Sequence, residues 1–169
     1  MRFWDSPKPT IAAVHGYCIG GAFELSLSCD ITVAGRSASM GEPEVKFGSG
    51  TMAMLLPLIS GPKVAKELLL TGNDKVSAVR AYELGIVTKV VDDETLQEEA
   101  IQLARQIASA DSQAVKLTNR AINEAMDAMG LRQALARSFE IDVSIETSAA
   151  PAKLEFLRQA IAIGYHVEL

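Results

Sequence analysis

Two glutamates twenty positions apart are the residues of this chain best suited to chemistry. Glu24 lies in His15-Gly16-Tyr17-Cys18-Ile19-Gly20-Gly21-Ala22-Phe23-Glu24-Leu25, and Glu44 lies in Gly41-Glu42-Pro43-Glu44. The first run reads as a strand, a glycine turn and a helix start, with a carboxylate in the first helical turn. The second puts a carboxylate in a short Pro-containing loop. Together they can supply the acid and base of a proton transfer. The N–H groups that open a helix have no partner inside it, and the positive end of the dipole lies behind them. A developing oxyanion could therefore be held at the start of this helix.

Each residue also has a plainer reading. Glu24 could simply favour the helix N-terminus, and Glu44 could be a solvated loop glutamate. Pro43 stiffens the approach to Glu44. The neighbouring Glu42 adds like-charge repulsion, and carboxylates that share one substrate atom titrate as a pair. The glycine run is neither a dinucleotide fingerprint nor a P-loop, because Gly16-x-x-x-Gly20-Gly21 has the wrong spacing and no Gly-Lys-Ser/Thr follows. Ser26 and Ser28 lack a triad-like His and Asp arrangement. His15 and Asp30 read as structural, His166 as solvated, and Lys63, Lys66 and Lys75 as surface lysines.

The elements that must position the glutamates follow from pattern. Thr10 to His15 reads as a buried strand, Ala22 to Leu27 as a short helix and Asp30 to Ala34 as a second strand, which makes a parallel crossover unit. Residues 37–50 hold loops and one short strand. Helices are expected over Met52 to Ile59, Pro62 to Leu70 and Ser77 to Gly85, followed by a strand from Ile86 to Val91. Beyond Asp92 the pattern is helical: Glu94 to Ala110, Ser112 to Ala128, Leu131 to about Ser144, and Ala152 to Ile163. The expected division is an α/β part over 1–91 and a helical part over 92–169.

Composition narrows the function classes. The 169 residues are 49% hydrophobic and only 5% aromatic, so the core is aliphatic. A net charge of −5 argues against a general nucleic-acid binder. No run reaches the ~18 apolar residues of a membrane span. Cys18 and Cys29 have no metal-ligand spacing and read as buried free thiols of a cytoplasmic protein. No metal site is expected.

The run from Lys8 through Glu24-Leu25 to Cys29-Asp30 closely resembles the signature of the crotonase superfamily, typified by enoyl-CoA hydratases. Gly41-Glu42-Pro43-Glu44, Leu70-Thr71-Gly72 and Ala81 to Val91 are similar to its later blocks, in order. The resemblance implies a crotonase-like spiral of ββα units, present in part, followed by a C-terminal helical trimerisation region. It implies an acyl-CoA thioester as substrate, with CoA part of that substrate and no separate cofactor, and a homotrimer or homohexamer. By this resemblance Glu24 orients and helps deprotonate water, Glu44 exchanges the α-carbon proton, and the Gly21 N–H is one of two oxyanion donors. Gly20, Tyr17 and Pro43 fall at substrate-binding positions. Hydration of a 2-enoyl-CoA is the leading reading. A 3-enoyl-CoA/2-enoyl-CoA isomerase using Glu44 alone, and a shortened chain that oligomerises or binds without turnover, are the alternatives.

The chain departs from the family pattern at three places. It starts where the family's second half starts, and the second oxyanion donor is expected in the preceding half. Losing one such donor costs roughly 3 kcal/mol of transition-state stabilisation. Phe47-Gly48-Ser49-Gly50-Thr51-Met52 replaces a longer glycine-rich loop, which alters the acyl pocket. The C-terminal Gly164 to Leu169 lacks the usual basic tail.

Overall fold

A computed structural model describes residues 2–50, 54–148 and 151–162. Its first half is built on two small sheets. Strands β1 (Ile11–Val14), β3 (Ile31–Gly35) and β6 (Lys89–Val91) form one parallel sheet in the order β1-β3-β6. Strands β2 (Tyr17–Ile19), β4 (Ser39–Gly41) and β5 (Val76–Ser77) form the other, with β2 parallel to β4 and β5 antiparallel to it. Helix α1 (Gly21–Leu27) connects β2 to β3. The expected crossover is therefore present, since β1 and β3 pair in parallel from Ile11↔Ile31 to Val14↔Ala34.

The sequence reading missed β2 and β5. β2 has three residues between Gly16 and Gly20, and β5 has two, too short for alternation to show. The expected strand over Ile86 to Val91 is shorter, Lys89–Val91. Ile86 and Val87 instead donate their N–H groups back to the Ala81 carbonyl at 2.9 and 3.2 Å, which closes the preceding helix.

Local chemistry explains most helix ends. α2 (Leu56–Ser60) takes Pro57 in its first turn, where no N–H is needed; Met52 and Ala53 of the expected helix lie outside the described residues. α3 (Pro62–Thr71) begins at a proline and ends on Gly72 in the left-handed conformation. α4 (Ala78–Glu83) is capped by Ser77, whose hydroxyl accepts from the Arg80 N–H at 3.2 Å. α5 (Leu96–Ala108) follows a 3-10 turn that takes up the start of the expected helix. α6 (Ser112–Ala128) is capped by Asp111, and α7 (Leu131–Glu146) and α8 (Pro151–Ala162) complete the helical part. The expected end of α8 at Ile163 falls outside the described residues.

The main core joins both halves. Phe23 of α1, Met40 of β4, Leu55, Leu56, Leu68 of α3 and Leu131 of α7 are all buried within it. A smaller cluster of Val33, Val91 and Leu96 ties β3, β6 and α5 together. The two ends of the crossover are fastened by Asp30, which accepts from the Thr10 N–H at 2.6 Å and the Thr10 hydroxyl at 2.7 Å. This is the structural role expected for Asp30.

Candidate active site

Glu24 and Glu44 leave the carboxyl ends of two adjacent parallel strands. β2 runs beside β4 with Ile19 opposite Gly41, and the Gly20 N–H extends this pairing by donating to the Gly41 carbonyl at 2.9 Å. After β2, Gly20 turns with φ +61° and α1 begins at Gly21, so Glu24 falls in its first turn. After β4, Glu42 and Pro43 lead into a 3-10 turn, Glu44–Phe47, that opens on Glu44. Residues far apart in sequence thus meet because their strands are hydrogen-bonded neighbours. Crevices at the carboxyl ends of parallel strands are where α/β sheets place ligands.

The glycines at this junction are dictated by contact. A Cβ on Gly20 would lie 2.2 Å from Glu44 Oε1, so the Glu44 carboxylate is seated directly against the Gly20 backbone. A Cβ on Gly41 would lie 2.0 Å from the Asn73 carbonyl, on the far side of the same turn. The Glu42 N–H donates to that carbonyl at 3.1 Å. Gly21, by contrast, faces open space, and its N–H has no acceptor within α1. Cys18 fastens β2 to α1 by donating its thiol hydrogen to the Ala22 carbonyl at 3.3 Å. Burial pushes that thiol up from its ordinary value. Cys18 is buried as expected, but Cys29 is only half-buried, at the edge where β3 begins.

The residue that sequence reasoning undervalued is Glu42. It reads from sequence as a charged neighbour of Glu44, yet its side chain is 2% exposed. Its carboxyl group lies within hydrogen-bonding reach of that of Glu44, and it feels the charges of both Glu44 and Glu24. Burial first, then repulsion from Glu44 and Glu24, push the Glu42 acid up to about 9. The three glutamates therefore form one electrostatic unit. Glu42 directly follows the buried Met40 and Gly41 of β4, so it continues a strand whose surroundings are closed, which the sequence does not show.

The other site residues divide. Gly20 and Pro43 are buried at the junction of the two turns. Tyr17 opens β2, at the end away from the glutamates, and is 84% exposed. The structure thus puts Tyr17 on the surface and does not bring it to the carboxylates. Ser26 and Ser28 donate to the carbonyls of Phe23 and Leu25 within their own helix turn. Among the described residues, no three His, Cys, Asp or Glu side chains are grouped to hold a metal ion. A cleft of about 840 Å³ opens between α5, α6 and the α1–β3 connection, lined by Leu27, Ile107 and Met126 among others, and neither Glu24 nor Glu44 lines it.

The turns that follow two paired parallel strands thus bring two carboxylates and a helix-opening N–H to one junction of a crotonase-type fold. The chain belongs to the enoyl-CoA hydratase/isomerase family, whose sequence model matches residues 1–152. It is 43% identical over 121 residues to a probable mitochondrial enoyl-CoA hydratase of Dictyostelium discoideum, covering 69% of this chain and 43% of that protein. It is 42% identical over 124 residues to the crotonyl-CoA hydratase of Syntrophomonas wolfei, covering 70% and 46% respectively. The crystal structure of an enoyl-CoA hydratase/isomerase from Xanthobacter autotrophicus superposes with a TM-score of 0.93 at 51% identity, covering 96% of this chain and 61% of that one. The chain thus spans under half the length of those two curated relatives.

Proposed function

We propose that this chain carries the acid/base part of a site that adds water to a 2-enoyl-CoA thioester. The observation that supports this reading best is the delivery of Glu24 and Glu44 from hydrogen-bonded turns after β2 and β4, both within electrostatic reach of the buried Glu42. In this reading Glu24 orients the water and takes up its proton as the hydroxyl adds to the β-carbon. That proton passes by way of the Glu44 carboxylate to the α-carbon, so the elements of one water add across the double bond and both glutamates end in their starting form. As electrons move toward the thioester oxygen, the Gly21 N–H stabilises the charge that develops there. CoA enters and leaves as part of the substrate. The names of the relatives, enoyl-CoA hydratase and crotonyl-CoA hydratase, support the same chemistry.

The reading includes assembly as a homotrimer or homohexamer. Apolar side chains left at the surface of α6, α7 and α8 support it, including Ile122, Phe139 and Leu154.

The test is hydration of crotonyl-CoA by the purified chain. Glu24→Gln and Glu44→Gln are each expected to lower kcat by about 10²- to 10⁴-fold, the usual contribution of a positioned acid or base. A double variant as fast as the unsubstituted chain would remove both glutamates from the mechanism.

A further inference from the structure

Three acids meeting in one closed junction pose a question of proton inventory. Glu42 is buried under the β4 turn, with its backbone N–H held by the Asn73 carbonyl. The Glu42 and Glu44 carboxyl groups are within hydrogen-bonding reach of each other. Two carboxylates cannot hydrogen-bond, because neither has a donor. One proton must lie between them. Glu44 Oε2 is buried without a hydrogen-bond partner among the N–H and hydroxyl donors of the described residues, so a donor is wanted there.

The surroundings decide which acid holds that proton. Glu42 is 2% exposed, whereas Glu44 is half-buried, so ionising Glu42 carries the larger desolvation cost. The groups that face Glu42 sharpen the preference. Glu24 faces it from α1, Glu44 from the 3-10 turn and the neutral Cys18 thiol from β2. From the α3–β5 connection comes a backbone carbonyl, and the Asp74 carboxylate beside it is paired with Lys46 at 3.4 Å. No cation contributes to the environment of Glu42 among the described residues.

We propose that Glu42 is a positioning residue that stays in its neutral acid form and donates its hydroxyl hydrogen to the Glu44 carboxylate, aiming Glu44 at the substrate without touching it. The inference rests on the hydration reading of Glu24 and Glu44 and adds a third member to that pair. The donated hydrogen bond fixes one Glu44 oxygen and leaves the other for the proton exchanged at the α-carbon. It also keeps two negative charges, rather than three, in the junction.

Two measurements separate this proposal from the functional reading beneath it. The first needs no turnover: glutamate Cδ carbons are labelled with ¹³C and followed by NMR as pH rises. One carboxyl is expected to titrate on the alkaline side, and it should be missing from Glu42→Gln. If every glutamate of the chain titrates in the ordinary carboxylate range, Glu42 is not the neutral acid and the proposal fails. The second measurement is crotonyl-CoA hydration. Glu42→Gln keeps a donor that cannot ionise, so its kcat should stay within about threefold, while Glu42→Leu should lose about 10- to 100-fold in kcat, with KM little changed, as expected for deleting a hydrogen bond to a charged group. The unsubstituted rate should fall on the alkaline side, and that fall should vanish in Glu42→Gln. A Gln variant as slow as the Leu variant would overturn the donor role. An inactive unsubstituted chain would sink the hydration reading alone, because the NMR titration still decides where the proton resides.

Discussion

The burial of Glu42 has a thermodynamic consequence of its own. Its acid is raised from an ordinary 4.5 to about 9 in the folded chain. Below about 4.5, folded and unfolded chains both keep the proton, and the stabilisation is fully present. Between the two values only the folded chain keeps it, so stability is lost as pH rises toward 9. The loss can reach about 1.4 kcal/mol per pH unit for one group. Urea unfolding of the unsubstituted chain and of Glu42→Gln, compared from pH 5 to pH 9, should show the two midpoints diverging, with the Gln variant gaining at high pH. Parallel midpoints would mean that Glu42 titrates normally. Gly20 gives a second test at this scale. Gly20→Ala places a methyl group 2.2 Å from Glu44 Oε1 on a backbone with φ +61°. It should cost about 1–3 kcal/mol from backbone strain alone, read by thermal unfolding, and should also displace Glu44. An Ala variant with unchanged stability and activity would show that Glu44 is free to move away.

At the scale of elements, the site depends on how α1 and the β4 turn are seated. Phe23, next to Glu24, is 1% exposed and anchors α1 in the main core. Removing its ring leaves a cavity beneath the helix that presents Glu24. Phe23→Ala is expected to cost about 3–5 kcal/mol in chemical denaturation. A loss below 1 kcal/mol would mean that the core can collapse around the gap. The β4 turn is held more rigidly, because a Gly41 Cβ would meet backbone atoms of Asn73 and Asp74 rather than a side chain able to swing aside. Helix placement was largely legible in advance, since Pro62, Gly72, Ser77 and Asp111 mark ends by local chemistry. β2 and β5 were not legible. Strands of three and two residues draw their existence from partners elsewhere in the chain, and no local pattern announces them.

The whole molecule leaves much apolar surface on its helical part. No residue of α6 is fully buried, and Phe139, Ile141 and Val143 of α7 are 52%, 49% and 44% exposed. Faces of this kind normally mark association surfaces. The expected outcome is a trimer, or a hexamer, by light scattering at micromolar concentration. Phe139→Asp combined with Val143→Asp is expected to lower the mass without unfolding the α/β part, checked by circular dichroism. An unsubstituted chain that stays monomeric would oppose the assembly reading.

The sequence by itself determined the parallel crossover, most helix boundaries, and the two glutamates with the helix-opening N–H beside them. These depend on short-range chemistry: glycine where the chain turns, proline and Ser or Asp at helix starts, and apolar runs in β1 and β3. Tertiary structure decided the rest. It paired β2 with β4, which brought Glu24 and Glu44 to one junction, and it sent Tyr17 to the surface. It also buried Glu42 between them. Burial depends on which distant segment covers a residue, here the Asn73 loop, and no spacing within Gly41-Glu42-Pro43-Glu44 records that.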